Sequence, residues 1–158
     1  MHRVTRWVLL AYRLPREPST PRIALWRGLR RLGVAQIGDG LVALPLNAEA
    51  REQIEWLASA IEEAGGESSV WLAEAATRAQ DSHWKDRLID AVTMEYRDVI
   101  ERAQASAESD EAGRRRSLRN LRAELQRIKR RDYFRAPIGE EASAAVERLG
   151  AARLATAP

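Results

Sequence analysis

Arginine is the residue type whose number and spacing carry the chemistry of this sequence. Arg13, Arg16, Arg22 and Arg27 cluster around the start of the first expected helix. Guanidinium groups hold tetrahedral oxyanions in a bidentate fork, and a helix N-terminus adds free N–H donors and the positive end of a dipole. Sulfate, another tetrahedral oxyanion or a DNA phosphate each suits such a cluster. So does a plainer reading, a solvated surface paired with the acidic middle of the chain. A second run, Arg114-Arg115-Arg116, Arg119, Arg122, Arg127, Lys129, Arg130 and Arg131, falls mainly on one expected helix. Arg115, Arg119 and Arg122 stand at spacings of four and three, and with Lys129 and Arg130 they are the residues expected to track a phosphate backbone. Contacts of that kind give salt-sensitive, sequence-independent affinity, and no helix is committed to reading bases. The alternative is neutralisation across a helical hairpin by Glu95, Asp98, Glu101, Glu108, Asp110 and Glu111.

Catalytic constellations are missing. His2 is terminal, and His83 sits at a helix start beside Trp84, so neither is placed as a general base. The serines show no nucleophile-elbow pattern, and no glycine-rich phosphate loop precedes a helix. Asp39 between two glycines is turn chemistry. Glu62-Glu63 and Glu140-Glu141 read as solvated or first-turn helix positions. The absence of cysteine removes disulfides, thiolate metal sites and thiol redox chemistry, which suits a reducing cytoplasm. The expectation is a cytoplasmic non-enzyme with no metal and no cofactor. Trp7, Trp26, Trp56, Trp71 and Trp84 are expected in or at the edge of the core, with stacking on nucleotide bases as the lesser alternative.

The net charge of +3 conceals a strong pattern. Residues 1–47 carry +6, residues 48–112 carry −10, residues 113–135 carry +8 and the remainder −1. Two basic segments flanking an acidic one either neutralise each other in the fold or leave a basic face for an anionic partner. Only Lys85 and Lys129 among the 26 basic residues are lysines. The apolar run from Trp7 to Tyr12 is too short for a secretory signal and is interrupted by Arg13, and no stretch approaches the ~20 apolar residues of a membrane span.

These arginines must be positioned by a small number of elements. Residues 4–12 read as a strand apolar on both faces, with Trp7, Leu9 and Ala11 on one and Val8, Leu10 and Tyr12 on the other. Ser19 or Thr20 before Pro21 starts a helix running to Leu32, with Ile23, Trp26, Leu29, Leu32 and also Leu25 inward and Gly33 as its stop. Residues 34–37 and 41–44 form a hairpin around Gly38-Asp39-Gly40. Asn47 caps a second helix with Ile54, Leu57, Ala58 and Ile61 inward, and residues 67–72 give a fourth strand. The order β-α-β-β-α-β is the signature of a ferredoxin-like motif, so the fold class is α+β. From Ala75 the period turns helical. Leu88, Ile89, Val92, Tyr96, Val99, Ile100 and Ala103 stripe one helix, and Leu118, Leu121, Leu125 and Ile128 seam the next after a break at 106–111 and Gly113. Ala142, Ala145, Val146 and Leu149 mark a short last helix, and the final Ala-Thr-Ala-Pro is expected to fray. Residues 1–73 are thus a ferredoxin-like domain, and residues 74–158 an antiparallel hairpin with a C-terminal helix, packed on it as one structural unit. The uncovered sheet face needs either that hairpin or a second copy of the chain, and the hairpin is favoured because its stripe is long.

Several runs in order carry a family resemblance. They are residues 7–18 (Trp-Val-Leu-Leu-Ala-Tyr-Arg-Leu-Pro-Arg-Glu-Pro), Trp26-Arg27 with residues 29–33, Gln53 through Trp56-Leu57, Gly65-Gly66-Glu67, Glu95-Tyr96, and Arg130-Arg131-Asp132-Tyr133-Phe134 followed by Ala136-Pro137. Together they resemble the N-terminal domain of the ChrB family of chromate-resistance regulators over residues 5–138. The resemblance implies a transcription-regulatory role in chromate resistance, with DNA and chromate or another oxyanion as partners. Full-length members carry a further C-terminal domain, so a separately encoded domain of that type is a further expected partner, with a homodimer as the alternative. The competing class is a non-catalytic interaction module. The first half is also similar to the central domain of PaaX-type repressors and to small CRISPR-associated endonuclease-like proteins. In the latter an acidic metal ligand follows the first strand, whereas Tyr12-Arg13 stands there in this chain.

Overall fold

An eight-residue strand with apolar side chains on both faces belongs in the middle of a sheet, and that is where β1 (Arg6–Arg13) lies. This computed structural model describes residues 3–152, so His2 and the final Ala-Thr-Ala-Pro lie outside the described residues. The sheet comprises β1, β2 (Ala35–Gly38), β3 (Leu41–Pro45) and β4 (Glu67–Glu74) in the order β2-β3-β1-β4, with every neighbouring pair antiparallel. With α1 (Thr20–Leu32) and α2 (Ala48–Glu63) as the two crossovers, this is the ferredoxin-like arrangement. α3 (Arg78–Ser106), α4 (Glu111–Arg131) and α5 (Gly139–Ala151) follow. The chain forms two compact units, residues 1–87 and 88–158, with the boundary inside α3.

In the first unit, Ser68 Oγ donates to the Ala58 carbonyl of α2 at 3.1 Å, which identifies the helix-covered face. Tyr12, Leu10 and Val8 stand opposite Ser68, Val70 and Leu72, and the buried Val8, Leu10, Val42 and Leu44 meet Ile54, Ala58 and Ile61 beneath that face. Asn47 caps α2 by accepting from the Ala50 amide at 2.7 Å. Gly33 closes α1 in the left-handed region. The β2–β3 turn depends on Gly40, because its φ is +71° and a Cβ there would stand 2.4 Å from the Tyr12 carbonyl oxygen.

α1 buries Leu25, Gly28 and Leu29, while Ile23 and Trp26 are exposed, which corrects the expected inner face. The reason is local. A Cβ on Gly28 would lie 3.0 Å from the Leu57 side chain, so the glycine side of α1 is the one that approaches α2. Trp26 instead stacks under Arg30, whose guanidinium carbon is 4.8 Å from the ring centre. The tryptophans are corrected as well: Trp7 is buried, Trp84 half-buried, and Trp26, Trp56 and Trp71 are exposed.

The first unit reaches past the sheet because of a side chain in the first turn of α3. Asp81 is 2% exposed, and its carboxylate accepts from the Trp7 indole at 3.0 Å and from the Thr5 amide and hydroxyl at 3.3 and 3.2 Å. A buried carboxylate is tolerated only when donors surround it, and these donors tie the helix start to β1.

The second unit builds its own core. Val92, Tyr96, Val99, Ile100 and Ala103 of α3 meet Leu118, Leu121, Leu125 and Ile128 of α4 and Ala142, Ala145, Val146 and Leu149 of α5. The α3 and α4 stripes are therefore buried against each other and against α5. Gly113 does not break the chain. It lies in the first turn of α4, and its amide donates to the Asp110 cap at 2.8 Å.

Candidate nucleic-acid interface

α4 is amphipathic in an unusual sense, with a leucine seam on one side and arginine on the other. It holds nine basic residues against Glu111 and Glu124. At ~100° per residue, the line opposite the seam runs through Arg116, Arg119, Ala123, Arg127 and Arg130. All five are exposed. Among the described residues, none of these four arginines makes an ion pair. From Arg116 to Arg130 the stripe is about 21 Å long, on the order of six base-pair steps of a duplex.

The structure separates the residues expected at a phosphate. Arg119 and Arg130 lie on the stripe. Arg115 lies on its flank and pairs with Glu111 one turn back, both members being exposed. Such a pair is worth only about 0–1 kcal/mol and yields readily to another anion. Arg122 leans toward α5, where a Cβ on Gly150 would stand 3.2 Å from its Nη2. Lys129 shares that flank and is exposed. Arg116 and Arg127 belong to the stripe although the three-and-four spacing that begins at Arg115 passes them by. Starting the same spacing at Arg116, opposite the leucines, finds them.

Neutralisation across the hairpin is limited. Arg131 pairs with Glu95. Arg102, on α3, takes Asp98 and Glu124 at 2.9 and 2.7 Å, and these two carboxylates push its pKa further up. Arg114 folds back on the α3–α4 turn, donating to the Ser109 carbonyl at 3.0 Å. None of these pairs reaches the outward stripe.

The first arginine cluster is more dispersed. Arg13 ends β1 directly opposite Glu67 of β4. Arg16 lies in the following loop. Arg22 and Arg27 are five residues apart on α1, or about 140° around its axis, so they leave it on different sides. Burial raises the Tyr12 phenol, the nearby Asp39 charge adds to that, and Arg22 opposes it, which places an acid and a base together beside this tyrosine. Ser19 makes no side-chain cap bond to α1. No group of three or more His, Cys, Asp or Glu side chains suited to a metal ion occurs among the described residues. No helix of the described residues is long and apolar enough to cross a membrane.

Residues far apart in sequence meet behind α4. The Tyr96 hydroxyl donates to Asp132 Oδ2 at 3.0 Å, and the Asp132 carboxylate also accepts from the Ala136 amide at 2.9 Å. Arg131 bonds Glu95, the neighbour of Tyr96. Gly139 lies against the tyrosine ring, where a Cβ would be 3.2 Å away. Glu95-Tyr96 and the run from Arg131 to Ala136 thus form one network that holds the end of α4 to α3. The sequence matches the family model described as Protein ChrB, N-terminal, over residues 22–109, more than half of the chain. The chain belongs to the ChrB family. It is 31% identical over 148 residues to Protein ChrB of Cupriavidus metallidurans, a match covering 90% of this chain and 44% of that protein. A match of that length includes α4, although this chain spans under half of that ChrB relative. No solved structure matches this ChrB chain.

The network predicts an alkaline transition. Burial first, then the hydrogen bond to Asp132 and its charge, raise the Tyr96 pKa above the ordinary value of 10.0. A group whose folded pKa is raised contributes stability that is complete below its unfolded pKa and is lost as pH rises through the folded value. Helical signal at 222 nm during urea unfolding is therefore expected to give a constant Tyr96 contribution up to about pH 10, declining above it. Tyr96→Phe removes that decline and costs about 1–2 kcal/mol at neutral pH. An identical alkaline slope in the phenylalanine variant would sink the assignment.

Proposed function

We propose that this chain is the DNA-contacting part of a cytoplasmic transcription regulator in a chromate-resistance system, and that it is not an enzyme. Its arginine-rich α4 lies along a phosphate backbone. The observation that carries this reading is the exposed line Arg116, Arg119, Arg127 and Arg130, without ion pairs among the described residues, on a helix whose other side is held in a core. Membership of the ChrB family supplies the setting. The divergence of Arg22 and Arg27, with Asp39 beside Tyr12, gives the phosphate reading the lead over an oxyanion pocket at the start of α1.

Fluorescence anisotropy on the DNA upstream of its own gene tests this. Four neutralised phosphates give a slope of about −3.6 in log affinity against log salt, or roughly a hundredfold loss between 50 and 200 mM. Release of the DNA by added chromate would assign the oxyanion response to the same chain. No binding at low salt would overturn the reading and leave the runner-up, an interaction module that docks to a partner domain.

A further inference from the structure

We propose that a second copy of this chain adds to the free edge of β4, antiparallel about a two-fold axis at Trp71. Among the described residues β4 pairs with β1 alone, so its other side presents backbone groups with no strand partner. The register shows which ones. The Tyr12 amide donates to the Gly40 carbonyl, and the Leu46 amide donates to the Arg6 carbonyl, each at 2.8 Å on the β3 side. Even-numbered residues of β1 therefore turn their backbone toward β3 and odd-numbered ones toward β4. Leu9 stands opposite Trp71, so Trp71 faces β1, and Ser68, Val70, Leu72 and Glu74 present their N–H and C=O groups outward.

Among the described residues the middle of this edge carries none of the usual protections, and its charges, Glu67 and Glu74, stand at the two ends. β4 pairs with β1 over eight consecutive residues without a bulge and contains neither proline nor lysine. The opposite edge, β2, has four residues and a register shift between Gln36 and Gly38. Trp71 and Leu72 are 60% and 44% exposed on β4.

Symmetry then restricts the registers open to a second copy. A two-fold axis normal to the sheet leaves each side chain on its own face, so a residue pairs only with one of the same parity. Glu67 therefore cannot be set opposite Glu74. Centred on Trp71, the pairing sets Val70 against Leu72, Ser69 against Ala73 and Ser68 against Glu74, with no like charges opposed. The two Trp71 residues form a non-hydrogen-bonded pair, the closer kind, where aromatic side chains gain most from each other. The strand is complementary to itself, and two four-stranded sheets become one of eight strands.

The chain contains no cysteine, which makes the test direct. In the full chain, Trp71→Cys places two sulfurs across a pair with Cα atoms about 4.5 Å apart, within disulfide range. Ser69→Cys, on the same face, leaves its copies about 13 Å apart, beyond it. Under mild oxidation Trp71→Cys is expected to cross-link at least about tenfold faster. Sedimentation is expected to give twice the monomer mass for the wild type and the monomer mass for Trp71→Lys, with unchanged circular dichroism. A wild type that stays monomeric at every concentration, a dimer that survives Trp71→Lys, or equal cross-linking of the two cysteine variants would each overturn the proposal. DNA affinity does not enter any of these readouts, so the proposal stands or falls apart from the functional reading.

Discussion

Arg119→Glu/Arg127→Glu/Arg130→Glu is expected to lose DNA affinity by more than a hundredfold at low salt and to flatten the salt dependence. Each arginine removed from a phosphate lowers the slope by about 0.9, so three remove about 2.7 of the expected 3.6, and each glutamate adds repulsion. The fold should survive. Among the described residues none of the three makes an ion pair, and all are exposed, so each change falls within about 0.5 kcal/mol, with Arg130→Glu slightly worse because it opposes the C-terminal end of the helix dipole. Arg51→Glu on α2, which removes a basic residue paired with Glu55, serves as the control and should change affinity little. Equal affinity and equal slope in the triple variant and the wild type would remove α4 from the interface.

Asp81→Ala is the substitution expected to cost most in stability. It removes the carboxylate that accepts from the buried Trp7 indole N–H and from the half-buried Thr5 amide and hydroxyl. Unsatisfied buried donors cost about 1–3 kcal/mol each, and relaxation of the helix end recovers part of that, so a net loss of about 3 kcal/mol is expected. Asp81→Asn keeps one acceptor oxygen and should restore roughly half. All five tryptophans fall within residues 1–87, so tryptophan fluorescence during urea unfolding follows the sheet unit alone. An unchanged midpoint in Asp81→Ala would show that the carboxylate does not anchor the start of α3.

Elements with one strong period are legible from sequence. The seam Leu118, Leu121, Leu125 and Ile128 and the stripe from Leu88 to Ala103, apart from the partly buried Ile89, are found buried as their spacing implies. Asn47 caps α2 and Gly33 stops α1 through purely local geometry. α1 was not legible in the same way. Ile23, Leu25, Trp26, Leu29 and Leu32 spread over more than one side of the helix, and the choice fell to Gly28, the position that admits Leu57. The stripe on α4 was half legible. The leucine seam locates the line opposite it, but which arginines take an ion pair depends on neighbours, such as Glu95 of α3 for Arg131, that only packing brings.

By itself, then, the sequence determined the order of the elements, the two helical stripes, the ferredoxin-like connection and the concentration of arginine on one helix. All of these follow from local propensity and periodicity, which act within a few residues. Tertiary structure decided the rest. It set Asp81 against Thr5 and Trp7, brought Tyr96 to Asp132, divided the α4 arginines into paired and free, and left Trp71 on an open edge. Each of those outcomes depends on contacts between residues far apart in the chain, whose distances follow only from packing.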